Sequence, residues 1–314
     1  MLNSTIKIKP VFFYLLIIVG MFFWGMSFIW VKIMYKYYGP FTVITLRMAL
    51  SVLLMFFIDL IFRQNEKIAL KDIKYFALVA FFEPFMYFVF EGFGIKLVSS
   101  TVAAVIVGTI PLFSPVFAFL LYKEKLSIYG FIGMIISFAG VCIMVLDRNM
   151  NFIYSKAGIA LMFGAVFSTV FYVLVIKKIG VRYKPLTIIK YQNLIGLIYF
   201  IPFFAVIELK QSLTVAFNFE MITTLLLLAV FPSTLSFIAF NISINRIGIG
   251  KSNLFTNLIP VFSAVFSFLL LGEQFDLKKI ISIIIIISGV SLAQINFKKK
   301  ATILSEKINM TANK

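Results

Sequence analysis

Long apolar stretches alternate with short polar or charged segments along almost the whole chain. A helix needs about 20 apolar residues to cross the hydrocarbon core of a bilayer, and these stretches, which end at charged residues, Pro or Gly, have that length. The pattern predicts ten transmembrane helices, at roughly 11–33, 41–62, 73–95, 99–121, 127–146, 157–176, 186–207, 219–243, 252–271 and 277–296. The short connections between them leave no room for a soluble domain.

The composition also indicates a membrane protein. Of the 314 residues, 62% are hydrophobic and 13% are charged, whereas soluble globular domains carry roughly 25% charged residues. The net charge of +17 would suit a protein that binds nucleic acid, but Lys and Arg retained in cytoplasmic loops explain it more simply. We therefore expect a lipid bilayer around the protein and no nucleic-acid partner.

The distribution of Lys and Arg predicts the orientation. With a cytoplasmic N-terminus, nineteen of the 29 basic residues fall on the cytoplasmic side and eight on the opposite side, while Arg47 and Lys190 fall within spans. Membrane proteins concentrate Lys and Arg on their cytoplasmic side. We therefore expect a multi-pass protein of the plasma membrane with both termini in the cytoplasm, and a basic cytoplasmic tail at 297–314.

The residues that are missing exclude several kinds of catalysis. The chain contains no His, which rules out imidazole bases, Ser–His–Asp and Cys–His triads and His-ligated metals. The one cysteine, Cys142, lies in an apolar stretch and cannot form an intrachain disulfide. No phosphate-binding loop of the Walker type occurs, so ATP is not expected to be the direct driver. The sequence therefore predicts no enzyme, no metal site and no cofactor.

The two halves of the chain resemble each other. At a constant offset of 149 residues, the matching pairs are Pro111 and Pro260, Phe113 and Phe262, Ser114 and Ser263, Glu124 and Glu273, and Gly140 and Gly289. Pro40 and Pro185 match at an offset of 145, and Pro84 and Pro232 lie in corresponding third spans. The Pro, Gly and Glu matches carry the argument, because Phe, Ile and Leu recur by composition alone.

The repeat predicts an architecture. Each half, at 11–147 and 156–296, contains five spans, and an odd number of spans forces the second half to enter the membrane with opposite polarity. Inverted repeats of this kind are typical of secondary transporters, which bind their solute where the repeats meet. We therefore expect an all-α membrane protein of ten helices, arranged as two inverted five-helix repeats around a central cavity.

Several segments resemble the EamA family of the drug/metabolite transporter superfamily over about 11–296. They are Trp24–Phe28, Arg47, Tyr87–Gly92, the stretch from Thr109 to Glu124 and its counterpart from Leu258 to Glu273. The resemblance implies ten helices around a central cavity and the transport of small metabolites, often amino acids. The second half departs from the pattern, since Phe167 replaces Trp24 and Gln192 replaces Arg47. The halves are therefore expected to contribute unequally to a site.

Three charged residues lie within spans of the first half, where a charge costs about 2.5–3.5 kcal/mol on insertion scales. Arg47 and Glu91 come to similar depth in antiparallel spans, whereas Glu83 has no evident cation nearby. Glu83, Tyr87 and Glu91 share one helix face by their spacing. Arg47 and Glu91 can form a structural ion pair that locks two helices; alternatively, they or Glu83 contact the solute or a coupling proton.

The second half contributes neutral polar groups. Its seventh span contains Gln192, Asn193 and Lys190, which is expected to snorkel to the cytoplasmic interface. Asn241 lies in the eighth span, and in the ninth the residues Asn253, Thr256, Asn257 and Pro260 follow one helix stripe. Such groups either hold helices together or converge on a polar solute.

Aromatic residues and paired motifs complete the candidate set. Trp24, Tyr87 and Tyr172 can pack against an apolar part of the solute or simply against protein and lipid. Pro111 and Pro260 predict bends, either static or moving with access, and Glu124 and Glu273 are expected to act as structural connectors beside the N-caps Ser127 and Asp276. The candidate substrate-binding residues are Trp24, Arg47, Glu83, Tyr87, Glu91, Tyr172, Gln192, Asn193, Asn241, Asn253 and Asn257.

These features favour a secondary transporter that exports small metabolites such as amino acids by alternating access. An intramembrane enzyme acting on lipid and a membrane scaffold or receptor without transport activity are the alternatives. The absence of His and the inverted repeat disfavour the enzyme, and the short loops offer little surface for a protein partner. A monomer and a homodimer are both compatible with the sequence.

Overall fold

The described part of the chain is helical almost throughout. The computed structural model describes residues 10–62, 66–122, 128–147, 149–176, 178–180, 182–247, 252, 255–274 and 276–293. Within these ranges the only β-type pairing is an isolated bridge between Leu146 and Phe152. The expected all-helical class is therefore confirmed, while the basic tail at 297–314 lies outside the described residues.

The helices follow one another with short connections. In chain order they are α1 (Pro10–Met34), α2 (Pro40–Phe62), α3 (Ile73–Ala80), α4 (Tyr87–Leu97), α5 (Ser100–Val107), α6 (Ile110–Tyr122), α7 (Ile128–Val145), α8 (Lys156–Ile176), α9 (Pro185–Phe203), α10 (Leu209–Ser212), α11 (Phe219–Val230), α12 (Ser236–Ile247), α13 (Leu258–Leu271) and α14 (277–293). Wide π-type turns at Phe81–Met86, Phe204–Glu208 and Phe231–Leu235 join α3 to α4, α9 to α10 and α11 to α12.

Seven helices in the described part are long and apolar enough to cross a bilayer. They are Val11–Met34, Pro40–Ile61, Leu70–Leu97, Ile128–Val145, Lys156–Ile176, Leu186–Ser212 and Phe219–Ser243. The shorter apolar segments Ser100–Phe113 and Leu258–Leu271, and the helix at 277–293, lie where the sequence predicts the other three spans.

Local sequence explains where several helices begin and end. α2 and α9 begin at a proline, whose fixed φ and missing N–H suit the first turn of a helix. The Ser99 hydroxyl caps α5 by accepting from the Val102 N–H at 3.2 Å, and the side-chain amide oxygen of Asn218 caps α11 by accepting from the Glu220 N–H at 2.8 Å. α13 ends at Gly272, whose φ of +65° is a left-handed conformation that glycine adopts readily.

α1 packs against α5, α11, α12 and α13, while α2 packs along α9 and α4 packs along α8. Large apolar side chains remain on the outer surface, including Leu60, Val206 and Phe217. Outward-facing apolar residues around a helical bundle are what contact with lipid requires. The interior of the bundle, by contrast, encloses a small group of polar side chains.

Candidate functional site

A cavity lies where two broken helices meet α2 and α9. Its volume is about 20 Å³, which is enough for roughly one water molecule. The residues that line it are Met48 and Ser51 of α2, Glu83 and Pro84 of the first wide turn, Phe88 of α4, Gln192 and Asn193 of α9, Ser233 of the third wide turn, and Phe237 of α12. The sequence-predicted residues Glu83, Gln192 and Asn193 are among them.

The first helix break presents Glu83 to the cavity. Glu83 has extended backbone angles, φ −143° and ψ 116°, inside the wide turn that contains Pro84. The Ser168 hydroxyl donates to the Phe82 carbonyl at 2.6 Å and so satisfies a carbonyl at the break. Glu83 therefore does not continue the helical face of Tyr87 and Glu91, and the expectation of a common face is wrong at this residue.

The acceptor atoms on the cavity wall are under-satisfied. The Oε2 atom of Glu83 and the Oε1 atom of Gln192 are buried and have no hydrogen-bond partner in the described part of the chain. Asn193 makes only a long contact, from Nδ2 to the Ser51 hydroxyl at 3.5 Å. Buried acceptors without donors are costly, so this wall is suited to a ligand that brings a proton or a positive charge.

The second helix break is held by side chains from within it and from α1. The hydroxyls of Ser233 and Thr234 donate to the carbonyls of Leu228 and Ala229 at 2.8 and 2.9 Å. The Trp24 indole N–H donates to the Pro232 carbonyl at 3.0 Å. Trp24 thus supports the broken helix and contacts the cavity-lining residue Phe237 edge-on.

Arg47 is buried beside the cavity rather than paired directly with Glu91. Its Nε donates to the Ser233 hydroxyl at 2.5 Å, and its guanidinium carbon lies 4.6 Å from the centre of the Phe88 ring. Glu91 accepts a hydrogen bond from the Tyr87 hydroxyl at 2.9 Å. Among the described residues, no direct salt bridge joins Arg47 to Glu91, although the two buried charges attract each other. The expected ion pair is therefore not a direct contact.

Lys190 does not reach the membrane interface, contrary to expectation. It is buried and forms an ion pair with Asp59 of α2, with side-chain exposures of 5% and 7%. The Lys190 ammonium also lies 4.9 Å from the centre of the Tyr191 ring and 5.5 Å from that of Phe56. Lys190 is therefore a buried partner of Asp59 and does not snorkel.

Other predicted residues do not line the cavity. Tyr172 packs against the apolar cluster of Phe76 and Ile188, and its hydroxyl is hydrogen-bonded to the side chain of Gln192, so it contacts a residue of the cavity wall. Asn241 donates to the Phe237 carbonyl within its own helix at 2.8 Å, and Asn257 donates to the Ser291 hydroxyl of α14 at 3.1 Å. α13 begins at Leu258, so the predicted stripe through Thr256, Asn257 and Pro260 crosses a helix start. Asn253 lies outside the described residues.

Sequence reasoning missed several residues of the cavity wall. Met48, Phe88 and Phe237 are ordinary apolar residues of apolar spans, and nothing in the sequence distinguishes them. Ser51 carried a usable signal, because it lies one helical turn after Arg47 on the same face. Ser233 was not missed, because it belongs to the polar residues that follow Pro232 in the eighth span and that the sequence indicates as neutral polar groups.

The connector Glu273 has a defined contact. It accepts from the Ser100 N–H at 2.8 Å and from the Thr101 hydroxyl at 2.9 Å, and so caps the first turn of α5 from the loop between α13 and α14. The corresponding Glu124 and Ser127 lie outside the described residues. Among the described residues, no group of three or more Cys, Asp or Glu side chains is arranged to hold a metal ion.

Comparison with known proteins relates the chain to one family. The sequence model of the EamA-like transporter family matches residues 11–146 and again residues 156–294. An uncharacterized transporter of Archaeoglobus fulgidus is 26% identical over 89% of this chain and 96% of its own. The uncharacterized transporter YetK of Bacillus subtilis is 24% identical over 79% of this chain and 76% of its own.

A protein of known crystal structure has a similar fold. It superimposes with a TM-score of 0.67, covers 90% of this chain and 97% of its own, and is 15% identical in sequence.

Proposed function

This chain belongs to the EamA-like transporter family, and from that premise we propose that it is a secondary transporter which exports a small polar metabolite, such as an amino acid, by alternating access. The family match and the related transporters support the assignment of the chain as a multi-pass membrane transporter. The observation that supports the finer proposal is the small cavity lined by Glu83, Gln192 and Asn193 between two broken helices.

The size of the cavity implies movement. A volume of about 20 Å³ accommodates roughly one water molecule and excludes a metabolite. The wide turns at Phe81–Met86 and Phe231–Leu235 border this space, and discontinuous helices at the midplane are the elements that line binding sites in transporters. In the proposal, these two helices part to admit the solute.

The polar groups suit an amphoteric solute. Arg47 is a buried cation whose Nε is held by Ser233, and Glu83 is an acidic side chain with one acceptor atom left unpaired. A guanidinium binds a carboxylate with good geometry, while an ammonium group can donate to Glu83 and Gln192. An amino acid carries both groups at a separation that a small site can span.

The proposed arrangement in the membrane follows the internal repeat. The spans of 11–147 and 156–296 form two five-helix repeats of opposite polarity. The protein lies in the plasma membrane, with both termini in the cytoplasm. Glu83 is the proposed carrier of a coupling proton, because its Oε2 atom lacks a donor in the described structure.

Counterflow in proteoliposomes tests the proposal. Amino acids are tested in chemical groups, such as acidic, basic and apolar. For each group, vesicles loaded with the unlabelled L-amino acids are diluted into buffer of equal pH that contains a trace of one radiolabelled member of the group. We expect transient accumulation of the label for at least one group, and its loss in Arg47→Ala. A folded protein that exchanges no group of amino acids would contradict the proposed substrate class.

An imposed pH gradient tests the role of Glu83. The parent protein should drive accumulation when the gradient is applied, whereas Glu83→Gln should retain counterflow and lose the response to the gradient. Asp147→Asn, which changes a carboxylate in the exposed connection between the halves, is the matched control. If Glu83→Gln responded to the pH gradient as the parent protein does, Glu83 would not be the carrier of the coupling proton.

A further inference from the structure

Hydrogen bonds join the two halves of the chain at both ends of the helix pair α2 and α9. Glu208, which follows α9, bonds the start of α2, and Glu66, which follows α2, bonds the residue before α9. The two helices are therefore antiparallel, and the two sets of bonds lie at opposite ends of the pair.

We give each set of bonds a name. The Glu220 latch is formed by Tyr37, Phe41, Thr42, Glu208 and Glu220. The Asp72 latch is formed by Glu66, Asp72, Arg182, Tyr183 and Lys184.

The Glu220 latch closes one end. Buried Glu208 accepts from the N–H and the hydroxyl of Thr42, each at 2.7 Å, and from the Phe41 N–H at 3.3 Å. The Tyr37 hydroxyl donates to the Glu220 carboxylate. These contacts tie the connection between α1 and α2 to the connection between α9 and α11.

The Asp72 latch closes the other end. Asp72 accepts from the Arg182 guanidinium and from the Tyr183 hydroxyl, each at 2.8 Å. Glu66 accepts from the Lys184 N–H at 3.0 Å, and hydrogen bonding from the Thr187 side chain and this N–H lowers the pKa of Glu66. The connection between α2 and α3 is thereby tied to the connection between α8 and α9.

The two latches use corresponding positions of the internal repeat. Asp72 and Glu220 begin the third span of their respective halves and are 148 residues apart (220 − 72), close to the other repeat offsets. Thr42 and Thr187 correspond at 145 residues (187 − 42), as do Tyr37 and Arg182. In each latch, a carboxylate at the start of the third span of one half meets a residue just before the second span of the other half.

We propose that the two latches are the gates of the transport cycle, one for each face of the membrane. This inference rests on the proposed transport function. A solute can leave the central cavity at a given end only when the halves separate there, which breaks the latch at that end. With both latches formed, the cavity is closed at both ends, in agreement with its small volume.

The two repeat-related carboxylates, Asp72 and Glu220, differ in their surroundings. Asp72 is 2% exposed and carries a charge-assisted bond to Arg182 in addition to the Tyr183 bond. Glu220 is exposed and accepts a hydrogen bond from the neutral hydroxyl of Tyr37. Tyr37 occupies the repeat position that corresponds to Arg182 in the other half. Exposed hydrogen bonds compete with water and are worth less, so the Tyr37–Glu220 bond is the weaker of the two repeat-related contacts, while the three buried bonds to Glu208 add to the Glu220 latch.

Cysteine accessibility measures the opening of each end. Cys142→Ser removes the one native thiol, and Ser51→Cys adds a reporter on the cavity wall. A small membrane-impermeant methanethiosulfonate reagent is applied to one face at a time, in right-side-out and inverted vesicles. No solute is needed, so the experiment is independent of whether the proposed substrate is right.

Hydroxyl deletions then separate the gates. Tyr183→Phe loses the bond to Asp72 and the bond from the Ala69 N–H at 3.1 Å. It should raise the labelling rate from the Asp72 face by at least the roughly 2- to 10-fold expected for one lost hydrogen bond, and Tyr37→Phe should raise it from the opposite face. Tyr199→Phe is the matched control, because it removes a hydroxyl bond between the halves, to the Ala77 carbonyl at 3.3 Å, that belongs to neither latch. It should leave the ratio of the two labelling rates unchanged.

Charge-neutralising variants provide the second test. Asp72→Asn and Glu220→Gln should show the same opposite preferences, with larger effects, in protein that elutes as a single folded species. Equal effects on both faces, effects on the same face, or no effect from either pair of variants would overturn the gating proposal. If the protein transports amino acids but the variants change labelling equally from both faces, the gating proposal is rejected and the transport function is not. If the variants change labelling from opposite faces but no amino-acid counterflow occurs, only the proposed substrate class is rejected.

Discussion

At the scale of single residues, the buried pair of Asp59 and Lys190 shows how an intramembrane charge is accommodated. Both side chains are almost fully buried, and each is the other's counter-ion. Two charges removed from water are tolerated only when they are paired and well coordinated. The pair joins α2 to α9, the same two helices whose ends carry the latches.

Breaking this pair should be strongly destabilising. Lys190→Met leaves Asp59 as an unpaired buried charge, with an expected loss of about 3–5 kcal/mol, measured as a lower thermal unfolding temperature in detergent. Replacing both partners, with Asp59→Leu and Lys190→Met, should recover most of the loss, because an apolar pair of similar volume needs no counter-ion. A single variant as stable as the parent protein would show that the pair is not an energetic unit.

Some residues of the cavity wall could be found from the sequence because a polar group stands out in an apolar span, while their role in binding stays a prediction. Glu83, Gln192 and Asn193 were identified in this way and lie together on the cavity wall. The pairing of Lys190 with Asp59 was not identified. A lysine close to the end of a span can either snorkel to the interface or pair with an acid, and the sequence does not distinguish the two. Asn241 and Asn257 were selected by the same polarity, but their amides bond within or between helices.

At the scale of helices, the breaks could largely be anticipated and the close contacts could not. Proline lacks an N–H, so Pro84 and Pro232 mark breaks that any sequence reader can find. The contact of α7 with α14 depends instead on which faces meet. Gly140 was noted only as a repeat match, and the closest approach is between Gly133 and Gly289, which interdigitate as small residues do between membrane helices.

A methyl group at Gly289 should separate α7 from α14. An added Cβ would lie 2.5 Å from the Ser137 nitrogen and 2.6 Å from the Gly133 carbonyl oxygen, both backbone atoms that cannot move aside. We expect Gly289→Ala to lower stability by about 1–3 kcal/mol through overpacking, seen as a lower unfolding temperature in detergent. Gly20→Ala is the control, since its nearest atoms lie at 3.6 Å, and equal stability of the two variants would contradict the close packing.

The turn between the halves should respond to acid. Hydrogen bonds from the Asn151 and Asn149 N–H groups, each at 2.8 Å, lower the pKa of Asp147 below its ordinary value of 3.8. Because the folded pKa is lowered, the carboxylate stabilises the turn above pH 3.8 and this contribution disappears as the pH falls through the lowered value. Amide exchange at Asn149 and Asn151, corrected for its intrinsic pH dependence, should accelerate in that window.

The same measurement on Asp147→Asn provides the comparison. This variant should exchange faster at neutral pH and show no additional acceleration in acid, because it has no carboxylate to titrate. Identical exchange profiles for the variant and the parent protein would show that Asp147 does not hold the turn.

At the scale of the whole molecule, the internal repeat is the feature on which the proposed transport cycle rests. The sequence predicted the repeat from matched Pro, Gly and Glu residues, and the family model matches the same two regions. The bonds between the halves were beyond sequence reasoning, because Glu66, Asp72, Glu208 and Glu220 read as ordinary acids at helix ends. Their function depends on which residues of the other half they meet in space.

Side-specific labelling of two repeat-related positions tests the opposite polarity of the halves most directly. Lys71 precedes Asp72, Phe219 precedes Glu220, and both side chains are exposed. In the Cys142→Ser background, Lys71→Cys and Phe219→Cys are each exposed to an impermeant thiol reagent in right-side-out and inverted vesicles. We predict that Lys71→Cys reacts from the cytoplasmic face and Phe219→Cys from the opposite face, whereas reaction of both from one face would contradict the inverted repeat and the two-gate cycle built on it.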